Sequence, residues 1–331
     1  MTEFQQGWRE FHIHDTVAAA AKEGRTSADD GNNQDEEDVI YASGINLFGN
    51  IQEEEEEETM HFSFPVAEAG GCDESTRSAV VVAAAEKKNI EVTLKGFSDY
   101  TQSTGLAVWL GSEILARFMA RHPYLIRGKT VMELGSGLGL AGITSHHLDS
   151  KTSVLTDGDS LVLNDYLKFN ANQNDRRQQD TIGGDGHPGA IECHQLIWGH
   201  RGQSNGQSPL AQFRKKYGQF DVILAADCTY IPQSVEPFWE TIDFLLDTEV
   251  TGKDDDTAHG ITPAKSPSTP KVIYVMEAST QAKFEDILDS AKLRGFEWTI
   301  DTMPSLYEKD ETPQDSQKEH EIYTFWRSRC S

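Results

Sequence analysis

The sequence predicts an α/β fold: a Rossmann-like, mostly parallel seven-stranded sheet with helices on both faces, plus a β-rich N-terminal extension. Three observations predict it. The stretch Thr130 to Gly142, TVMELGSGLGLAG, is a short apolar run that breaks into a glycine turn and then a helical pattern. That is the first βα unit of a nucleotide-binding sheet. Downstream, strand-like runs alternate with amphipathic helical stretches. The last two strand-like runs, Phe296 to Ile300 and Glu321 to Trp326, lie close together near the C-terminus. This ending predicts one antiparallel strand.

Taken in order, the chain of 331 residues divides into three parts. Residues 1–59 have the composition of a largely disordered acidic tail. Residues 1–58 hold 16 Asp or Glu against 3 Lys or Arg, about half the excess behind the net charge of −25. Such a stretch buries too little apolar surface to offset its ordering entropy. Its two readings are a solvated tail and an interaction arm for a basic partner. Apolar islands at Val39 to Phe48 and His61 to Val66 are candidate extra strands. Residues 60–103 form the extension with short strands, and Ile90 to Leu94 alternates as a strand does. The run Ala79 to Val82 is a further apolar island. Residues 104–331 form the main domain.

Within that domain, residues 106–121, LAVWLGSEILARFMAR, predict an amphipathic helix ended by Pro123. Its apolar face holds Val108, Trp109, Ile114, Leu115, Phe118 and Met119. Strands are predicted at Thr130 to Leu134, Ser153 to Thr156, Ile191 to Ile197, Phe220 to Ala226 and Lys271 to Met276. The fourth has apolar residues at six of seven positions and should be central and buried. Helices are predicted at Ser160 to Asn170, Gln233 to Leu246 and Gln281 to Leu293, the last with Thr280 as its N-cap. Arg176 to Ala190, His200 to Lys216 and Thr251 to Pro270 read as inserted loops.

Composition excludes several function classes. A pI near 4.7 makes nucleic acid a poor partner, because an acidic surface repels phosphates. The four cysteines form no CxxC pair and no metal spacing, which suits a reducing compartment. The eleven histidines form no metal-ligating cluster, so no metal is expected. The polar N-terminus lacks an apolar secretory core, and no apolar run approaches 18 residues. A cytoplasmic location, extending to the nucleus, and no membrane partner are expected.

The glycine spacing fits more than one ligand. Gly137, Gly139 and Gly142 satisfy the dinucleotide pattern G-x-G-x-x-G. Glu133, just before the turn, would repel a pyrophosphate. It suits S-adenosylmethionine, which has no phosphate and carries an ammonium and a positively charged sulfur.

Other residues follow strands at positions where a ligand binds. Asp157, closing the second strand, can accept two ribose hydroxyls; Thr-Asp-Gly-Asp is also good turn chemistry. Trp198, beside Gly199, can cover an adenine ring or cap the core. Trp109 can face the cofactor's charged end by cation–π attraction or simply pack in the core. Asp227 and Tyr230 directly follow the buried fourth strand. There a carboxylate and a phenol can hold an amine, assist its deprotonation and stabilise a cationic product. A turn Asp and a core Tyr is the plainer reading of that pair. Cys228 reads as a small buried residue, not a nucleophile.

Taken together, these residues resemble the family-16 seven-β-strand protein-lysine methyltransferases with a D-x-x-Y motif. The matching set is Thr104 to Leu106 with Trp109, the ELGSG of Glu133 to Gly137, Thr156 with Asp157, the LIWG of Leu196 to Gly199, and the ADCTY of Ala226 to Tyr230. Gln233 to Phe238 and Glu321 to Tyr323 extend the likeness over roughly residues 90–328. The resemblance implies a monomeric S-adenosylmethionine-dependent enzyme acting on a lysine of a folded protein, such as a chaperone, an AAA ATPase or a translation factor. It implies that Trp109, Gly135, Ser136, Gly137, Asp157, Trp198 and Ala226 line the cofactor, with Glu133 beside them. Asp227 and Tyr230 would stand at the substrate amine. A methyltransferase of an N-terminal or small amine, and an inactive binding module on the same fold, are the alternatives.

Overall fold

The structure is a computed structural model that describes residues 57–67, 89–97, 103–179, 189–199, 209–246, 269–277, 281–304 and 319–327. Two strands, β1 (Glu58–Pro65) and β2 (Asn89–Gly96), pair antiparallel as a separate two-stranded sheet. Seven further strands follow. They are β3 (Thr130–Leu134), β4 (Thr152–Asp157), β5 (Ala190–Gln195), β6 (Val222–Ala226), β7 (Lys271–Val275), β8 (Glu297–Met303) and β9 (His320–Trp326). They form one sheet in the order β5-β4-β3-β6-β7-β9-β8. Pairings from β5 to β7 are parallel, and β9 runs antiparallel to both neighbours. The expected antiparallel strand near the C-terminus is therefore β9.

Alternation along the strands explains why the sheet is covered on both faces. In β6, Val222 and Leu224 point into one apolar cluster, and Ile223 and Ala225 into the other. The first cluster is closed by α1 (Leu110–Arg121), α2 (Leu140–His147) and the hairpin. The second is closed by α5 (Pro209–Tyr217), α6 (Pro232–Leu246) and α7 (Phe284–Leu293). Between β4 and β5 lie a π-helical turn (Val162–Leu167), α3 (Lys168–Gln173) and the short α4 (Arg176–Gln179). Parallel strands buried on both sides need such near-continuous apolar runs.

Two asparagines near α3 fasten the hairpin to the main domain. Asn170 Oδ1 accepts the Lys95 N–H at 2.8 Å, and Asn174 Oδ1 accepts that of Thr93 at 3.1 Å. Buried amides of this kind supply backbone partners where the hairpin leaves its own ladder.

Several boundaries differ from the sequence reading. The helix expected from residue 106 starts at Leu110, because residues 104–106 form a 3₁₀ turn and Trp109 is the extended N-cap residue. Val108 and Trp109 thus stand before the helix, not on its apolar face. The inserted loops at Arg176 to Ala190 and His200 to Lys216 contain α4 and α5. α5 buries only Leu210 and Phe213 among polar neighbours, so its periodicity is faint. α7 begins at Phe284 with Lys283 as N-cap residue, three residues later than expected, and Thr280 lies outside the described residues. β1 starts at Glu58, inside the stretch assigned to the acidic tail. Residues 1–56 of that tail, the islands at Val39 to Phe48 and Ala79 to Val82, and all but the last two residues of Thr251 to Pro270 lie outside the described residues.

Candidate active site

Chain order reverses between β3 and β6, and a cavity opens beyond the carboxyl ends of β3, β4 and β6, where such sheets bind ligands. Its empty space, counted out through the open mouth, is about 1180 Å³. All ten residues singled out in the sequence line this one cavity: Trp109, Glu133, Gly135, Ser136, Gly137, Asp157, Trp198, Ala226, Asp227 and Tyr230.

The floor is the loop after β3. Gly135 has φ +66°, and a Cβ there would stand 2.8 Å from Cys228 Cβ. Gly137 has φ +51°, and a Cβ there would stand 3.2 Å from the Gly105 carbonyl oxygen. Both need the left-handed region and a bare backbone, so neither position admits a side chain without strain. Ser136 ties the loop to β4: its N–H donates to the Thr156 carbonyl at 2.9 Å, and its Oγ accepts the Thr156 N–H at 3.1 Å.

Two carboxylates hold the loop from below and from the side. Glu133 is 3% exposed, and its Oε2 accepts the Gly142 N–H in the first turn of α2 at 2.9 Å. Burial raises its pKa to about 8, with nearby Asp157 adding to the rise and the Gly142 N–H opposing it. Asp157 accepts the Gly137 N–H at 2.9 Å through Oδ2 and the Asp159 N–H at 2.9 Å through Oδ1. The turn role and the ligand role therefore coexist, since an ionised carboxylate has about four acceptor sites. Burial raises the Asp157 pKa, partly offset by those N–H bonds.

The walls come from β5, β6 and the segment before α1. Trp198 meets Phe238 of α6 edge-on, ring centroids 5.3 Å apart, and Gly199 N–H donates to Thr241 Oγ1 of the same helix at 2.9 Å. Trp109 Nε1 donates to the Thr104 carbonyl at 2.7 Å, and Thr104 Oγ1 lies 3.3 Å from Tyr230 Oη. Burial raises the Tyr230 phenol's pKa. Cys228 also lines the wall, and burial pushes its thiol well up, which leaves no thiolate for nucleophilic chemistry.

Asp227 is the most constrained residue of the set. It is 6% exposed and has φ +49°, a conformation that costs a non-glycine residue about 1–3 kcal/mol and persists where the surroundings fix it. Its Oδ2 accepts the Gly111 N–H at 2.7 Å, near the N-terminus of α1. Its Oδ1 accepts the Glu277 N–H at 2.6 Å, just past β7. A side chain at Gly111 would collide with the carboxylate. Asp227 is thus a latch across 116 residues to α1 and 50 residues to β7, with its carboxylate at the cavity wall.

Sequence reasoning missed part of the lining. Asp159, Ser112 and Val162 went unassigned, as did Gly111, which does not line the cavity but holds Asp227. Asp159 was visible within Thr-Asp-Gly-Asp but looked like turn chemistry. Val162 reaches the cavity from a π-helical turn that no local pattern announces.

The charge of the lining decides what it suits. Among the described residues it contains four carboxylates, Glu133, Asp157, Asp159 and Asp227, and no Lys, Arg or His. With the Glu133 pKa raised to about 8, negative charge at neutral pH rests mainly on Asp157, Asp159 and Asp227, which disfavours a pyrophosphate, while a ligand with positive groups and a ribose finds acceptors. The donor and acceptor set therefore fits S-adenosylmethionine.

A family model described as lysine methyltransferase matches residues 87–252. The chain is 32% identical over 146 residues to a calmodulin-lysine N-methyltransferase of Arabidopsis thaliana, covering 44% of this chain and 42% of that protein. It is 26% identical over 138 residues to the protein N-lysine methyltransferase METTL21A of Danio rerio, covering 42% and 54%. It is 27% identical over 146 residues to the protein-lysine N-methyltransferase EFM3 of Chaetomium thermophilum, covering 44% and 39%. The matches span about half the length of these relatives. With half of its length matched by the family model and the family's motif residues gathered in one cavity, the chain belongs to the lysine methyltransferase family.

Proposed function

We propose that this chain is an S-adenosylmethionine-dependent N-methyltransferase that modifies a lysine side chain of a protein. The observation that carries the reading is the cavity lining, with four carboxylates and no basic group among the described residues. S-adenosylmethionine, when bound, supplies a methyl group on a positively charged sulfur. Asp157 would accept from the ribose hydroxyls, and Trp198 would cover the adenine. Glu133, Trp109 and the Gly135–Gly137 loop would meet the methionine end, and Ala226 would close the floor.

Asp227 and Tyr230 would receive the amine. A free lysine is nearly all protonated at neutral pH and cannot attack. Asp227 accepts the Gly111 and Glu277 N–H groups, and an ionised carboxylate has about four acceptor sites, so it can also orient an amine. Tyr230, anchored near Thr104, would bound the same space. Holding the amine aligned lowers the barrier by orientation, and the nearby negative charge stabilises the cation that forms.

The acidic tail, proposed as residues 1–56 since β1 begins at Glu58, would attract a basic substrate surface. Among the described residues no helix is long and apolar enough to cross a membrane. The proposal is completed by a monomer in the cytoplasm or nucleus, acting on a protein target such as a chaperone, an AAA ATPase or a translation factor.

The test is incubation of a proteome with the full chain and S-adenosylmethionine carrying a labelled methyl, followed by peptide mass spectrometry. Label on a lysine is the expected result. Label on a protein N-terminus or a small amine would replace the substrate class. Tight cofactor binding with no labelled product would indicate a binding module.

A further inference from the structure

Behind Asp227 lie two buried polar side chains that the transfer step described above does not use. His320 opens β9 and is 1% exposed. Glu277 follows β7, and its side chain is 8% exposed. The antiparallel register of Tyr274 against Tyr323 brings the start of β9 to the carboxyl end of β7. There His320 Nδ1 stands 3.0 Å from Glu277 Oε1. Neither ring nitrogen of His320 makes a well-formed hydrogen bond among the described residues, so Nδ1 meets Glu277 as a close polar contact and Nε2 is buried beside it. A residue that served only to fill space would pack there at less cost as an apolar side chain, because an unsatisfied buried nitrogen is unfavourable.

The link to the active site runs through the backbone of Glu277. Its side chain lies 3.0 Å from His320 Nδ1, and its own N–H donates to Asp227 Oδ1 at 2.6 Å. Asp227 in turn sits at φ +49° and reaches Gly111 through Oδ2. A strained residue keeps its conformation only while its surroundings fix it. The fixing atoms are the Gly111 N–H, at the start of a 12-residue helix, and the Glu277 N–H, just past the end of a strand. The second anchor stands just past the end of its strand, and His320 is packed against its side chain there.

We propose that Glu277 and His320 are positioning residues: their buried contact fixes the chain past β7 so that the Glu277 N–H holds the Asp227 carboxylate at the cavity wall. The consequence for rate rests on the methyltransferase reading of Asp227. The consequence for the latch rests on geometry alone.

The experiment compares wild type, His320→Ala, His320→Asn and Asp227→Asn in the full chain. Amide exchange at Gly111 and Glu277 is followed by NMR, S-adenosylmethionine affinity by calorimetry, and transfer by single turnover. His320→Ala should speed exchange at the Glu277 amide by about tenfold or more and loosen Gly111 in the same direction, with central-sheet amides unchanged. Its transfer rate should fall about tenfold while cofactor affinity stays within about twofold. His320→Asn, whose amide can reach the place of Nδ1, should restore most of both. In the Asp227→Asn background, His320→Ala should cost little further rate, since the two act as one unit.

A folded His320→Ala with unchanged exchange at Glu277 overturns the inference. So does a rate loss that is equally large in the Asp227→Asn background. Faster exchange in a chain whose wild type transfers no methyl leaves the positioning contact standing and removes the methyltransferase reading. Should the alanine variant not fold, Glu277→Gln, which keeps size and shape, carries the same measurements with the same expected direction and the same overturning results.

Discussion

The two halves of the cavity are built differently. The half around β3 and β4 comes from residues 133–159, and its ties are short in sequence: Glu133 to Gly142, Asp157 to Gly137, Thr156 to Ser136. The half around Asp227 is assembled from Gly111, Asp227, Glu277 and His320, drawn from four separate stretches. The first half shapes the backbone through glycines and leaves carboxylate acceptors facing the cavity. The second half spends backbone N–H groups on holding one strained carboxylate. The first is suited to gripping a cofactor, the second to keeping one group in place during a reaction.

If that division is right, substitutions in the two halves should move different observables. The largest effect is expected at Asp227. Asp227→Asn keeps the shape but turns an acceptor into a donor facing one of two backbone N–H groups. The transfer rate should fall roughly 10²–10⁴-fold, as for a positioned acid–base group, with S-adenosylmethionine affinity little changed. Stability should also fall by about 1–3 kcal/mol, the usual cost of a buried unsatisfied N–H, and a denaturant titration reads it. A wild-type rate would make Asp227 a structural latch alone. Lost cofactor affinity in a folded variant would erase the division between the halves.

Asp157→Ala comes next and should do the reverse. A charge-assisted hydrogen bond contributes roughly 1.5–3 kcal/mol, so cofactor affinity should drop about one to two orders of magnitude. The rate at saturating cofactor should be close to wild type. Calorimetry showing unchanged affinity would remove Asp157 from the cofactor half.

The smallest effect concerns Glu133 and is a matter of pH. Its pKa is raised from an ordinary 4.5 to about 8 by burial. The folded state therefore binds a proton that the unfolded state releases between those values. The stability this proton confers is complete below pH 4.5 and is lost as pH rises through about 8. Glu133→Gln stays neutral and can still accept the Gly142 N–H. Its melting temperature, relative to wild type, should rise across that window and be level below it. A difference independent of pH would mean that Glu133 titrates normally in the folded protein.

The same division explains what the sequence made legible. The glycine loop, Glu133 and Asp157 sit in a contiguous stretch whose spacing reflects backbone constraints, so the pattern could be read directly. The mostly parallel sheet and its one antiparallel strand followed from the alternation and from the closely placed last strands, whereas the strand order is seen only in the folded chain. Asp227 was legible as a residue at a strand end. Its double backbone contact was not, because Gly111 and Glu277 are 116 and 50 residues away. His320 lay one residue before a noted stretch and carried no signal, since nothing local distinguishes a buried histidine from a surface one. The start of α1 was misplaced because Val108 and Trp109 share the apolar character of the helix face. Trp109 spends its N–H on Thr104 and its backbone in an extended cap instead.

The central claim is that a cavity with four carboxylates and no basic group among its described lining residues selects a cationic nucleoside. A calorimetric titration of the full chain with S-adenosylmethionine, run beside one with NAD at the same ionic strength, tests it most directly. The account predicts one saturable site for S-adenosylmethionine and no measurable heat from NAD. Saturable NAD binding with none for S-adenosylmethionine would contradict it.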